Sequence, residues 1–149
     1  MTDYSQIPQR LHVYPATGRA KEIVHKSMTM DTLFSGVVPM QWTTPEAPEF
    51  HDVVDKVKAA GFKTIAGCPS ADATDTSLSA TLKSLQLYLK KINERPDKYQ
   101  LVRTTQDIDK AVAENKLGIY FTHQGSGLFE GDVEKVGVFR QLGYGFRTG

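Results

Sequence analysis

The chain has 149 residues, 40% of them hydrophobic, and a formal net charge of +1, which suits one ordinary globular domain with a buried core. Its basic residues are scattered along the sequence, so neither nucleic acid nor a membrane surface is expected as a partner. The single cysteine, Cys68, cannot form an internal disulfide, and no apolar run approaches the roughly 18 residues of a membrane span. We therefore expect a soluble, cytoplasmic protein.

The first third of the chain is the least regular part. Residues 1–17 carry two prolines and no periodicity, which predicts an extended arm ahead of a domain at 18–149. A helix is predicted over 19–26, and a first strand near 28–33. Three prolines in 36–48 predict a loop.

From residue 49 onward, helical periods alternate with β-rich apolar runs. The predicted helices cover 49–60, 77–94 and 104–115, with a further helix after Gly127, and the predicted strands lie near 63–67, 99–102 and 117–122. Strands that alternate with helices of about a dozen residues indicate an α/β fold with a parallel sheet.

The stretch 101–142 carries the strongest local signals. Thr104 stands three residues before Asp107, a capping-box spacing that predicts a helix start. The run 117–122 has no strict alternation, which is typical of a strand buried on both faces. A polar, glycine-bearing loop, 123–127, follows it. Because sites of α/β proteins lie at the carboxyl ends of their strands, one wall of any site is expected here.

The same stretch resembles a known family. The matching elements are Thr105-x-Asp107-Ile108-x-x-Ala111, Gly118-Ile119, Gln124-Gly125, Glu130-Gly131-Asp132 and Leu142-Gly143. Together they are similar to the membrane (renal) dipeptidases, zinc metallopeptidases on a TIM barrel, and the likeness extends back to about Ile23. It implies hydrolysis of dipeptides or similar small amides. A whole barrel takes about 250 residues, so the chain corresponds to a partial barrel, about its first half.

That size leaves three possibilities open: a fragment, a truncated gene product, or a small α/β protein that pairs with itself to cover open sheet edges. The last predicts a homo-oligomer. The family's remaining metal-binding histidines and its substrate-binding arginine lie beyond the matched half.

The resemblance also implies where metal ligands would stand. Asp31 matches the aspartate of the family's His-x-Asp pair, with Thr29 in the histidine's place. In the other possible alignment Asp31 precedes the pair, and Leu33 and Ser35 replace both ligands. Gln124 matches the glutamate that bridges two metals, but a neutral amide cannot offset two divalent cations. We therefore expect no tightly bound zinc and an inactive chain.

Three further residues are weaker candidates. His123 could ligate zinc, although adjacent residues of a regular strand point to opposite faces, so His123 and Gln124 would not both face the barrel axis. Trp42 could line a substrate pocket or shield the barrel end. His51 falls on the polar face of its helix and is expected to be solvated. The alternative function is a non-catalytic α/β module that binds a small molecule or self-assembles.

Overall fold

The structure is a computed structural model that describes residues 17–32, 37–38, 41–42, 50–69, 77–123 and 125–145, with 37–38 and 41–42 described by their backbone alone. The helices are α1 (Gly18–Lys26), α2 (Phe50–Ala59), α3 (Leu78–Glu94), α4 (Thr105–Ala113) and α5 (Glu134–Gln141). The strands are β1 (Met30–Asp31), β2 (Val37–Val38), β3 (Gln41–Trp42), β4 (Thr64–Gly67), β5 (Tyr99–Leu101) and β6 (Leu117–Phe121). The extended arm predicted for 1–17 lies almost entirely outside the described residues.

Four of these strands form a parallel sheet in the order β1-β4-β6-β5. The predicted α/β architecture and all four predicted parallel strands are confirmed. One feature of the order is not sequential: β5 precedes β6 in the chain but lies outside it, at the edge. Beyond the end of β5, Tyr144 takes the place beside β6 through a parallel bridge to Phe121.

The prediction of a loop over 36–48 is partly wrong. β2 and β3 pair as a short antiparallel hairpin, with Val37 opposite Trp42 and Val38 opposite Gln41. Two residues separate the strands, the usual length of a tight hairpin connection. The β-branched pair and the tryptophan favour strands, and the neighbouring prolines obscured that preference in the sequence.

The core lies on one face of the parallel sheet. Ile65 and Ile119 stand on this face, and α2 and α3 cover it. The fully buried side chains of the core include Phe50, Val54, Ile65, Leu117, Ile119, Phe121 and Leu128. The chain runs outward from β4 to β5 through α3 and returns to β6 through α4, so right-handed crossovers place these two helices on opposite faces. None of the helices in the described ranges is long and apolar enough to cross a membrane.

Local hydrogen bonds explain where the helices begin. The hydroxyls of Thr17 and Ser77 accept from the amides of Ala20 and Ala80, which start α1 and α3. The predicted capping box is confirmed at α4: Thr104 Oγ1 accepts from the Asp107 amide, and the Asp107 carboxylate accepts from the Thr104 amide. Hydrogen bonds from the Arg103 and Thr104 amides hold the pKa of Asp107 below its usual value.

Gly118, in the middle of β6, permits the closest approach in the sheet. A Cβ placed there would lie 2.8 Å from the side-chain methyls of both Thr64 and Val102. We expect Gly118→Ala to lower the free energy of unfolding by about 1–3 kcal/mol through overpacking. Urea denaturation measures this change.

Gly137→Ala is the matched control. Gly137 lies in α5, where an added Cβ would meet nothing within 4 Å. Alanine there should stabilise the protein by about 0.5–1 kcal/mol, because glycine is a poor helix former. Equal effects of the two substitutions would contradict the close packing assigned to Gly118.

Candidate functional site

Asp31 is the last residue of β1, at the carboxyl end of the sheet, and its side chain is half-buried. It stands opposite Ile65, on the face that carries the core. Thr29, at the position of the family's histidine, is otherwise engaged: its hydroxyl donates to the Val24 carbonyl at 3.1 Å, and its own carbonyl accepts from the Lys63 amide at 2.8 Å. Thr29 therefore joins α1 to the sheet and is not placed as a metal ligand.

His123 follows β6 by two residues and is 8% exposed. Its Nδ1 lies 2.7 Å from the Gly125 carbonyl oxygen and 3.0 Å from the Gly125 amide nitrogen. Burial lowers the pKa of His123, against the opposing effect of the hydrogen bond to Gly125. The ring is therefore neutral near pH 7, and its Nδ1 is occupied by the turn that follows the strand.

The structure describes no side chain at four other candidate positions. Gln124, Leu33 and Ser35 lie outside the described residues. Trp42 belongs to β3, and only its backbone is described. The roles assigned to these four positions therefore stay predictions. β1 and β6, which carry the two implied ligand positions, are not neighbours, because β4 lies between them.

The side chains that the structure describes form no group that fits a zinc site. Within the described part of the chain, no three His, Cys, Asp or Glu side chains are grouped so that they could hold a metal ion. Strand geometry separates the Cα atoms of Asp31 and His123 by about 10 Å across the sheet and about 13 Å along it, or about 16 Å in all. Tight zinc sites take at least three protein ligands close together. Cys68 is half-buried after β4, and burial raises the pKa of its thiol.

A groove of about 570 Å³ does lie beside the carboxyl ends of β5 and β6. Met30, Tyr120 and Ile108 form its apolar wall, and Arg103 and Arg140 contribute positive charge. The face of the sheet opposite the core is thus only partly covered. A groove with apolar walls and two guanidinium groups suits a small molecule that carries a carboxylate.

The expectation that His51 is solvated is wrong. Its ring is stacked on Tyr99, with centroids 5.7 Å apart, and each ring nitrogen has a partner at 3.0 Å: the Tyr99 hydroxyl at Nδ1 and Glu94 at Nε2. Burial, with the nearby charge of Asp55, raises the pKa of Tyr99 to about 12. The hydroxyl therefore stays protonated and can donate to Nδ1, while Nε2–H donates to the Glu94 carboxylate.

Sequence reasoning also missed a cluster of lysines at the opposite end of the sheet, where its parallel strands begin. Lys63, Lys98 and Lys116 each stand immediately before a strand, namely β4, β5 and β6. These lysines are far apart in the sequence, but they lie close together in the fold because parallel strands begin at the same end of the sheet. They line a cavity of about 500 Å³ together with Lys58. The repeated lysine-before-strand placement was the available signal.

The comparisons with known proteins support the fold. Residues of this chain superpose on the crystal structure of an amidohydrolase from Pseudomonas aeruginosa with a TM-score of 0.67 and 25% sequence identity. The match covers 83% of this chain, but the chain spans about a third (34%) of the length of that protein. No family model and no curated protein matches. The chain therefore has an α/β fold that matches part of the TIM-barrel-like fold of that amidohydrolase.

The buried His123 predicts a pH dependence of stability. Its pKa is lowered in the folded state, so the unfolded chain takes up the proton first as the pH falls. The contribution of His123 is thus full above its unfolded pKa of about 6.5 and is lost as the pH drops below that value. Urea unfolding of the parent and of His123→Asn, measured from about pH 7.5 to about pH 5.5, should show the steeper loss in the parent. Parallel curves would contradict this assignment.

Proposed function

We propose that this chain is a dipeptidase-type amidohydrolase scaffold that, by itself, neither holds zinc stoichiometrically nor hydrolyses dipeptides. The observation that supports the hydrolase assignment is the likeness to an amidohydrolase over 83% of the chain. The narrower dipeptidase assignment and the substrate class, dipeptides or similar small amides, rest on the sequence resemblance described above.

The loss of metal chemistry follows from what the nearby side chains do instead. In the dipeptidase family zinc supplies a bound water as the nucleophile. In this chain the hydroxyl of Thr29 bonds to the end of α1, and Nδ1 of His123 bonds to Gly125. Asp31 alone offers a carboxylate at the end of β1. One carboxylate does not make a catalytic zinc site, so we expect the isolated chain to activate no water for hydrolysis.

Substrate binding has more support than turnover. The groove beside β5 and β6 places Arg103 and Arg140 around an apolar wall formed in part by Tyr120. A dipeptide presents a terminal carboxylate and side chains of mixed polarity, which this lining would accommodate. We therefore propose weak binding of dipeptide-like molecules in the groove, without cleavage.

Elemental analysis after dialysis, paired with an assay of dipeptide hydrolysis in the presence of added zinc, tests the proposal. We expect far less than one zinc per chain and no hydrolysis above the protein-free rate, because fewer than three ligands are at hand. One or two zinc ions per chain, lost in Asp31→Ala but kept in Asp109→Ala, would overturn the inactive assignment. Asp109 is an exposed residue of α4 and serves as the matched control.

Self-association is a second candidate property, supported by the edge of the sheet at β1. Among the described strands, β1 pairs with β4 alone, so its outer edge has no described partner. Met28 and Met30 expose 51% and 39% of their surface beside it, and Ile23 of α1 exposes 55%. An unpaired edge flanked by apolar side chains is a template for strand addition, and we propose that it pairs with a second copy of the chain.

Light scattering at micromolar concentration should therefore show a dimer or larger species. Met30→Lys places a charge on the edge and should shift the equilibrium to the monomer. Val138→Lys is the matched control, because Val138 is an exposed residue of α5 away from that edge. This substitution should leave the measured mass unchanged. A monomeric parent protein would reject this candidate.

A further inference from the structure

The cavity at the amino ends of the strands is built by the sheet itself. The Lys63 carbonyl accepts from the Gly118 amide at 2.9 Å, and the Lys98 carbonyl accepts from the Leu117 amide at 2.9 Å. Lys63 and Lys98 are thus fixed on either side of the start of β6, with Lys116 immediately before that strand. Neighbouring strands lie about 4.8 Å apart, so the three residues are held at adjacent positions by the backbone.

The charges around this cavity are unbalanced. Its lining includes four lysines and one aspartate, Asp55, and the ion-paired Arg95 and Glu114 beside it add one charge of each sign, so the formal surplus is three positive charges. Asp55 is shared: it accepts from Lys98 at 2.8 Å and from Arg95 at 3.1 Å. Lys116 pairs with Glu114 at 2.7 Å. Among the described residues, Lys63 has no acidic partner within ion-pair distance.

Two observations on the titrating groups agree with this imbalance. Burial lowers the pKa of Lys58, and the charges of Lys98 and Lys63 lower it further against the opposing effect of Asp55. Burial alone would raise the pKa of Asp55, but the hydrogen bond from Lys98 and the charge of Arg95 outweigh it and lower that pKa. The cavity therefore holds cations that repel one another.

Neutralisation by helix ends accounts for only part of the excess. The carboxyl-terminal ends of α1, α2 and α4 reach the cavity through His25, Ala59 and Asn115, and Lys58 donates to the Asn115 carbonyl oxygen. Each helix end carries a partial charge of about −0.5, so three ends together supply about −1.5. About half of the positive surplus is left, which corresponds to an anion of one to two charges.

We propose that this cavity binds a small phosphorylated organic molecule. Ammonium groups on lysine are common phosphate ligands, and several of them converge here from separate elements. Phe62, Val112 and Ala59 add an apolar wall on which the organic part of such a molecule could lie. The volume of about 500 Å³ is that of a typical small-molecule site.

Calorimetric titration with ADP, inorganic pyrophosphate, adenosine and citrate tests the proposal on the full chain. ADP and pyrophosphate should bind, with ADP the tighter, and adenosine should not. Absence of binding by both phosphate compounds would overturn the proposal. Citrate binding as tightly as pyrophosphate would also overturn it, because the cavity would then select charge and not phosphate.

Lys63→Gln is the informative variant, and Lys83→Gln, on the exposed face of α3, is its matched control. Removing the Lys63 charge should weaken ADP binding at least about fivefold and leave the melting temperature of the free protein unchanged or higher, because a repulsion is relieved. The control should change neither quantity. A lower melting temperature with unchanged ADP affinity would show that Lys63 is structural and would reject the site.

Discussion

The structure depends on the pairing of β6 with strands on both of its sides. β4 lies along one side in a register of four residue pairs, and β5 followed by Tyr144 lies along the other. Leu117, Ile119 and Phe121 are fully buried on one face. On the other face, the missing side chain of Gly118 lets its neighbours close over the strand. The groove at its carboxyl end and the lysine cavity at its amino end are both positioned by this central strand.

Because the strands are parallel, all their carboxyl ends lie at one end of the sheet and all their amino ends at the other, and the two ends differ chemically. Asp31, the neutral ring of His123 and the half-buried Cys68 lie at its carboxyl ends, where no three His, Cys, Asp or Glu side chains of the described residues are grouped to hold a metal ion. Its amino ends bring together lysines whose charge is only partly balanced. In TIM barrels, the fold class to which the amidohydrolase likeness points, active sites lie at the carboxyl ends of the strands. Among the described residues, the amino ends of the strands carry a formal surplus of three positive charges.

The features that sequence predicted are local ones. The capping box at Thr104 and Asp107 spans three residues, and the unbroken apolar run of β6 is a contiguous segment, so each is legible without tertiary contacts. His51 was misread because its partners, Glu94 and Tyr99, are 43 and 48 residues away. The hairpin of β2 and β3 was missed because prolines dominate its surroundings.

The lysine cavity also could not be predicted from local sequence patterns. Lys63, Lys98 and Lys116 lie far apart in the sequence, and these positions become neighbours only once the strand order is known. That order itself was not predictable, since β5 lies outside β6 although it comes first in the chain. Local sequence patterns determine where helices and strands form. The position of a site depends in addition on which helices and strands become neighbours in the fold.

We propose that this chain holds an anionic ligand at the amino ends of its parallel strands and no zinc at their carboxyl ends. Backbone amide chemical shifts, followed by NMR during separate titrations with zinc and with pyrophosphate, test both halves in one measurement. We expect pyrophosphate to cause saturable shifts of the amide resonances around Lys63, Lys98 and Leu117. We expect zinc to cause no cluster of shifts at the strand ends near Asp31 and Gly125. Zinc shifts centred there, with an unperturbed amino edge, would contradict it.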